Sequence, residues 1–223
     1  MIIQEGTFRV ENFLFAFKCE VTKNYLLFKI VDSELINGLY KKTKWKKFWF
    51  KLLYRPKNYH LAWVKIIESL LDNNLTLLVE LTPPNYYFLN EQNRYSDEIN
   101  TIRARATASQ IYLEHQLQFS KRKEYCMVFS VSDKAFLRDL IYRYENENYK
   151  LYLVDMEKFN LNLFKDLIYA AKNETEESDI VRLFDVGVNI FVHGNFYDNQ
   201  LYLYVPNGYE HIVINALQQK SKS

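Results

Sequence analysis

The chain has few of the residues that define several large protein classes. Its 223 residues include only five glycines and four prolines, too few for a collagenous or linker-like protein. The two cysteines, Cys19 and Cys126, each lie in an apolar run, which argues against a disulfide framework or a cysteine-rich metal site. The four histidines are scattered, and there is no glycine-rich phosphate loop. A zinc site and P-loop nucleotide hydrolysis are therefore not expected.

Long apolar runs are also missing. None approaches the length that spans a bilayer, and the N-terminus, MIIQEGTFRVENF, lacks the charged and apolar regions of a secretory signal. The sequence therefore predicts a cytoplasmic protein without a transmembrane segment. Apolar residues make up 48% of the chain and aromatic residues 17%, enough to build one large domain or two small ones.

Acidic residues are absent from one long window, residues 35–67, which we call the basic window. It holds nine lysines and arginines and all three tryptophans. The formal charge of the whole chain is +2, so the remainder carries −7. Cations bind phosphates by releasing counterions, and aromatic faces can stack on bases, so the basic window predicts a DNA-binding surface. The predicted phosphate contacts are Lys41, Lys42, Lys44, Lys46, Lys47, Lys51, Arg55 and Lys57.

Two other interpretations of the basic window stay open at this stage. A non-enzymatic interaction protein, such as an immunity or anti-defence factor, would present Trp45, Trp49 and Trp63 as anchors to an acidic protein partner. An amphipathic helix over 41–53 would instead bind a membrane surface, but apolar residues interrupt its polar face and Pro56 follows closely.

Hydrophobic periodicity predicts a mixed α/β (α+β) fold. The composition changes near residue 132, from basic to acidic, which suggests domains at 1–132 and 133–223. Residues 46–54 fit either a helix or a strand, and 59–71 fit a helix or a strand followed by a helix. The predicted strands are 7–17, 24–31, 75–81, 125–131, 149–154, 187–193 and 200–205. The predicted helices are 34–42, 96–120, 132–144, 159–172, 177–184 and one ending near 218.

One ordered set of residues fits metal-dependent DNA cleavage. An acidic residue starts a helix (Glu34), a strand is entered by 55–59, and an apolar strand then carries Glu80 before a proline-rich exit. Such cleavage needs oxygen ligands on Mg²⁺ and a nearby cation. Glu34 and Glu80 are the candidate metal ligands. The alternative is that Glu34 is a first-turn acid favoured by the helix dipole and Glu80 is a surface residue at a strand end.

The stretch from Tyr25 to Tyr144 resembles the endonuclease subunit of heteromeric DNA transposases, the TnsA type. The resemblance rests on Asp32-Ser33-Glu34-Leu35, Arg55-Pro56-Lys57-Asn58-Tyr59, Glu80-Leu81-Thr82-Pro83 and Phe129-Ser130-Val131-Ser132-Asp133-Lys134. It implies a restriction-endonuclease-like sheet flanked by helices, a role in transposition of a mobile element or phage-like system, and a Mg²⁺-dependent DNA endonuclease site if the protein is active. The site residues carried over by the resemblance are Glu34, Asn58, Glu80 and Thr82.

Two of these positions depart from the family pattern. Asn58 stands where the family has a metal-binding aspartate, and Thr82 stands where it has a lysine. An amide is a weaker Mg²⁺ ligand than a carboxylate, and threonine supplies no cation, so cleavage is doubtful. The family resemblance also implies a winged-helix-like region after the nuclease fold, over 133–205. The acidic stretch Glu174–Asp179 there would repel phosphate, so this half is expected to bind a protein partner.

Overall fold

The computed structural model describes residues 3–10, 13–32, 59–71, 74–81, 101–116, 125–143, 148–170, 177–195 and 200–219. Within these ranges the protein is a mixed α+β fold with a large sheet, which confirms the predicted fold class at this coarse level. The strands are β1 (Ile3–Val10), β2 (Phe13–Val21), β3 (Tyr25–Asp32), β4 (Thr76–Leu81), β5 (Tyr112–Gln116), β6 (Tyr125–Val131), β7 (Asn148–Val154), β8 (Val188–Asn195) and β9 (Gln200–Pro206). The helices are α1 (Tyr59–Leu71), α2 (helical over 101–107), α3 (Lys134–Arg143), α4 (Leu161–Ala170), α5 (Glu177–Asp185) and α6 (Glu210–Gln219).

The chain divides into two compact units that interleave along the sequence. Unit 1 comprises Met1–Asn73, Ala135–Asn148 and Val192–Ser223, and unit 2 comprises Asn74–Lys134 and Tyr149–Phe191. The composition of the sequence predicted one division, between residues 132 and 133. β8 contributes residues to both units, because the division falls within that strand.

Unit 1 is built on an antiparallel sheet in the order β1-β2-β3-β9, with β8 next to β9. Side chains alternate between the faces of a strand, so the registered neighbours Phe8 and Phe15 lie on one face, and so do Phe28 and Leu203. All four are buried. Trp63 of α1 packs on this face with its ring centroid 5.2 Å from that of Phe15.

The turn between β2 and β3 follows the prediction from Thr22-Lys23-Asn24. The Thr22 hydroxyl donates to the Tyr25 carbonyl oxygen at 2.7 Å and accepts from the Tyr25 amide at 3.0 Å. Threonine hydroxyls close turns in this way. The prediction of a single strand over 7–17 is wrong, since Val10 pairs with Phe13 and the run forms two strands of a hairpin.

Unit 2 is centred on β4, which pairs antiparallel with β6 on one side and β7 on the other. β5 pairs with the outer edge of β6, and β8 lies next to β7. Leu77, Leu78 and Val79 of β4 are buried, so both faces of this strand are covered. A strand covered on both faces has a continuous apolar sequence, which is why residues 75–81 were identified correctly.

The predicted long helix over 96–120 is wrong in its second half. The helix ends at 107, and β5 begins at Tyr112. Hydrogen bonds to β6 fix the change of direction, because the Ile111 amide donates to the Ser130 hydroxyl at 3.1 Å and the Ser130 amide donates to the Ile111 carbonyl at 3.0 Å. Pairing with β6 therefore outweighs the helical preference of the sequence.

No helix in the described ranges is long and apolar enough to cross a membrane. The predicted helix over 34–42 and the ambiguous segment 46–54 lie outside the described residues.

Gly187, between α5 and β8, lies in unit 2 at a position where the backbone leaves no room for a side chain. Its φ is +95°, and an added Cβ would lie 2.7 Å from the Lys158 carbonyl oxygen. Gly208 has the same φ, but an added Cβ would have no atom within 4 Å. We expect Gly187→Ala to lower the free energy of unfolding by about 1–3 kcal/mol more than Gly208→Ala, because only Gly187→Ala adds a steric clash. Chemical denaturation of both variants measures this difference, and equal losses would contradict it.

Candidate functional site

Glu80 is the one predicted catalytic residue that lies within the described part of the chain. In β4 it is directly opposite Val128 of β6 and Lys150 of β7. Two positions along β4, Leu78 is opposite Ser130 and Tyr152. Residues opposite one another, and residues two apart on one strand, share a face of the sheet. Glu80, Lys150 and Tyr152 therefore lie on one face of unit 2.

Both oxygens of the Glu80 carboxylate have a partner. The Lys150 Nζ lies 3.2 Å from Oε1, and the Tyr152 hydroxyl donates a hydrogen bond to Oε2. The side chain of Glu80 is 10% exposed and that of Lys150 22% exposed. A carboxylate this deeply buried is costly unless it is paired and hydrogen-bonded, and here both conditions are met. We call these three residues the Glu80 network.

Tyr152 remains a hydrogen-bond donor over the physiological pH range. Burial raises the pKa of its hydroxyl well above the ordinary value, and the negative charge of Glu80 and the hydrogen bond to it act in the same direction. Its ring packs edge-on against Phe164 of α4, with a centroid distance of 5.1 Å, and stacks on Phe191 at 5.3 Å. The ring is therefore fixed by aromatic packing, and the hydroxyl is held at the carboxylate.

Helix α4 covers the face on which the Glu80 network lies. It begins after Asn160, whose Oδ1 accepts a hydrogen bond from the Leu163 amide at 3.1 Å, as in an N-cap. The buried side chains of α4 are Phe164 and Ile168, four residues apart and therefore on one side of the helix. The Tyr169 ring lies 4.6 Å from that of His115 on β5.

His115 lies on the same face as the Glu80 network. It is opposite Cys126 of β6, two positions along that strand from Val128. Burial lowers the pKa of His115, and the charge of Glu80 opposes the change only in part. Its Nδ1 atom is buried and has no hydrogen-bond partner in the described ranges. Cys126 is itself buried and forms no disulfide.

A second set of charged residues lies on the opposite face of the unit 2 sheet. Glu114 of β5 accepts a hydrogen bond from Arg103 of α2 at 2.7 Å and from the Tyr112 hydroxyl at 2.6 Å. Burial raises the pKa of Tyr112, the hydrogen bond to Glu114 and its charge add to this, and Arg103 opposes it. Each glutamate thus has one cation and one tyrosine as partners.

The other predicted site residues cannot be compared with these positions. Glu34, Asn58 and Thr82 lie outside the described residues, and so do the eight predicted phosphate contacts (Lys41, Lys42, Lys44, Lys46, Lys47, Lys51, Arg55 and Lys57). Among the side chains that are described, no group of three or more His, Cys, Asp or Glu residues could hold a metal ion.

The described part of the basic window lies on α1 and includes Trp63 and Lys65. Trp63 is 1% exposed and belongs to the core of unit 1. The interaction-protein interpretation required Trp63 to be an exposed anchor for an acidic partner, and the burial of this side chain does not fit that role. Lys65, two positions further, is half-buried.

Sequence reasoning missed Lys150, Tyr152 and His115. A signal for the first two was present, because in β7 they are two positions apart and hence on one face of an otherwise apolar strand. A lone carboxylate in one apolar strand and a lone cation in another are natural partners.

No protein-family model, curated protein or solved structure matches this chain.

Proposed function

We propose that this protein binds duplex DNA, in the setting of a mobile element or a phage-like system. The observation that carries the proposal is the basic window, with nine positive side chains and no acidic one. Because the rest of the chain has a charge of −7, attraction to phosphate is concentrated in this window.

Trp63 and Lys65, in the described part of the basic window, support binding through charge. On α1 the aromatic side chain of Trp63 points into the core, where it packs on Phe15, while Lys65 is more exposed. Here the aromatic residue stabilises the fold and the basic residue is nearer to solvent. We therefore propose that the lysines of the window contact phosphates and that base stacking by its tryptophans is secondary.

We also propose a restriction-endonuclease-like fold for the N-terminal part and a winged-helix-like, protein-binding region over 133–205. The order α1, β4, α2, β6 supports the first of these, with β5 added between α2 and β6. Glu80 lies on β4, and Asp133 lies two residues after the end of β6. The acidic first turn of α5, with Glu177 and Asp179, supports a protein partner, because an acidic helix repels phosphate.

The groups that contact Glu80, the Lys150 ammonium and the Tyr152 hydroxyl, do not fit a Mg²⁺ site. The proposed function is therefore DNA binding and includes no cleavage step.

Fluorescence anisotropy with a labelled duplex tests the DNA-binding proposal. For B-DNA the logarithm of the binding constant falls with the logarithm of salt concentration, with a slope of about −0.9 per phosphate contact. The triple variant Lys41→Gln, Lys42→Gln, Lys44→Gln is expected to bind more weakly and to reduce the steepness of this slope by about 2–3.

The matched control is Lys134→Gln, Lys158→Gln, Lys165→Gln, which removes the same charge from exposed positions outside the window. It is expected to retain the wild-type slope. Equal loss of affinity in both triple variants, or binding of the wild type that does not depend on salt, would contradict the proposal. Stoichiometric co-purification of an acidic protein, with no affinity for duplex DNA, would favour the interaction-protein interpretation instead.

A further inference from the structure

Both oxygens of the Glu80 carboxylate already have a partner in unit 2. A Mg²⁺ ligand directs a carboxylate oxygen at the ion, and Mg²⁺ keeps several water molecules in its octahedral shell. In the Glu80 network, Oε1 is in an ion pair with Lys150 and Oε2 accepts from Tyr152. The side chain is only 10% exposed. Neither the hydrogen bonding nor the burial fits the sequence assignment of Glu80 as a ligand.

The cation beside Glu80 also disfavours a metal ion. An ammonium group 3.2 Å from Oε1 would repel a divalent cation that approached the same oxygen. Mg²⁺ binding at Oε1 would therefore compete with Lys150, which β7 holds directly opposite Glu80. His115 adds no metal site, because the described residues contain no group of three potential ligands.

A cation and a tyrosine also pair with a glutamate for which no metal role was predicted. Glu114 on the opposite face has Arg103 at one oxygen and Tyr112 at the other. Two strands of one sheet thus hold a carboxylate with the same pair of partner types. Because both glutamates have these partners, we interpret the partners as stabilising a partly buried carboxylate. The cation balances the negative charge, and the tyrosine donates a hydrogen bond to the second oxygen.

We infer that Glu80 is not a metal ligand but the acceptor of a buried polar network that fixes the register of β7 against β4. A slip of one residue would move Lys150 and Tyr152 to the other face of the strand and leave Glu80 buried without partners. The inference is independent of the proposed DNA binding, because it concerns only contacts within unit 2.

Thermal unfolding with and without Mn²⁺ tests this inference on the full chain. A metal that binds the native state raises the melting temperature by mass action. We expect the same Mn²⁺-induced change in the wild type, in Glu80→Gln and in the matched control Glu114→Gln. A Mn²⁺-induced rise that is present in the wild type and Glu114→Gln but lost in Glu80→Gln would overturn the inference.

A second measurement needs no variant and covers the case in which Glu80→Gln fails to fold. Mn²⁺ is paramagnetic and broadens NMR signals of nearby nuclei. At equimolar Mn²⁺ the amide signals of Glu80, Leu81 and Lys150 are expected to keep the intensity of other core amides. Selective broadening of these three signals would overturn the inference, whatever the DNA-binding experiment shows.

Discussion

Replacing Trp63 with alanine is expected to lower the free energy of unfolding by about 3–5 kcal/mol. The side chain is 1% exposed and is among the largest fully buried side chains described. It closes the apolar face of unit 1 by packing on Phe15, which in turn stacks on Phe8 at 5.4 Å. Its removal would leave a cavity bordered by aromatic rings that β1 and β2 hold in register, so the cavity has little scope to collapse.

Chemical denaturation measures this loss, and Tyr169→Ala is the control. Tyr169 is an aromatic residue on a helix but is 37% exposed, so its removal is expected to cost less than about 1 kcal/mol. A loss for Trp63→Ala as small as that for Tyr169→Ala would show that Trp63 is not a core residue. The interpretation of Trp63 as an exposed binding anchor would then be open again.

Segments with strong local patterns were predicted well from the sequence. The strands β4, β6 and β7 are apolar runs bounded by turn or polar residues. The helices α3 and α4 begin directly after residues of capping type, Asp133 and Asn160. β5 was missed because its sequence, YLEHQ, is short and polar and is a strand only because β6 pairs with it. Pairing with a neighbouring strand determines the conformation of such a segment, and its own sequence does not predict that conformation.

Prediction from local sequence has the same limit at the Glu80 network. Glu80 could be singled out because it is the only charged residue in LTLLVEL, and an isolated charge in an apolar strand needs a partner. Its partners, Lys150 and Tyr152, lie 70 and 72 residues later in the chain. Their position beside Glu80 depends on the pairing of β4 with β7, which are neighbours in the sheet but not consecutive along the chain. The sequence therefore singled out Glu80, but it did not identify the two side chains that the pairing of β4 with β7 places beside it.

Lys150→Met is expected to lower the free energy of unfolding by about 3 kcal/mol, because it leaves the Glu80 charge buried without a cation. The matched control is Lys29→Met. Lys29 also pairs with a glutamate on a neighbouring strand, Glu20, at 3.0 Å, but the two side chains are 38% and 28% exposed. Loss of that more solvated pair is expected to cost about 0–1 kcal/mol. Chemical denaturation of the two variants gives the comparison.

A double-mutant cycle separates the Glu80–Lys150 pair from the packing of the lysine stem. In the Lys150→Met background, Glu80→Gln removes the unbalanced charge, so the double variant is expected to lose less stability than the sum of the two single variants. Additive losses, or a loss for Lys150→Met no larger than that for Lys29→Met, would contradict the assignment of a coupled buried pair. Non-additivity would mean that the carboxylate and the ammonium stabilise β4 against β7 as one unit, because each is tolerated in the interior only while the other is present.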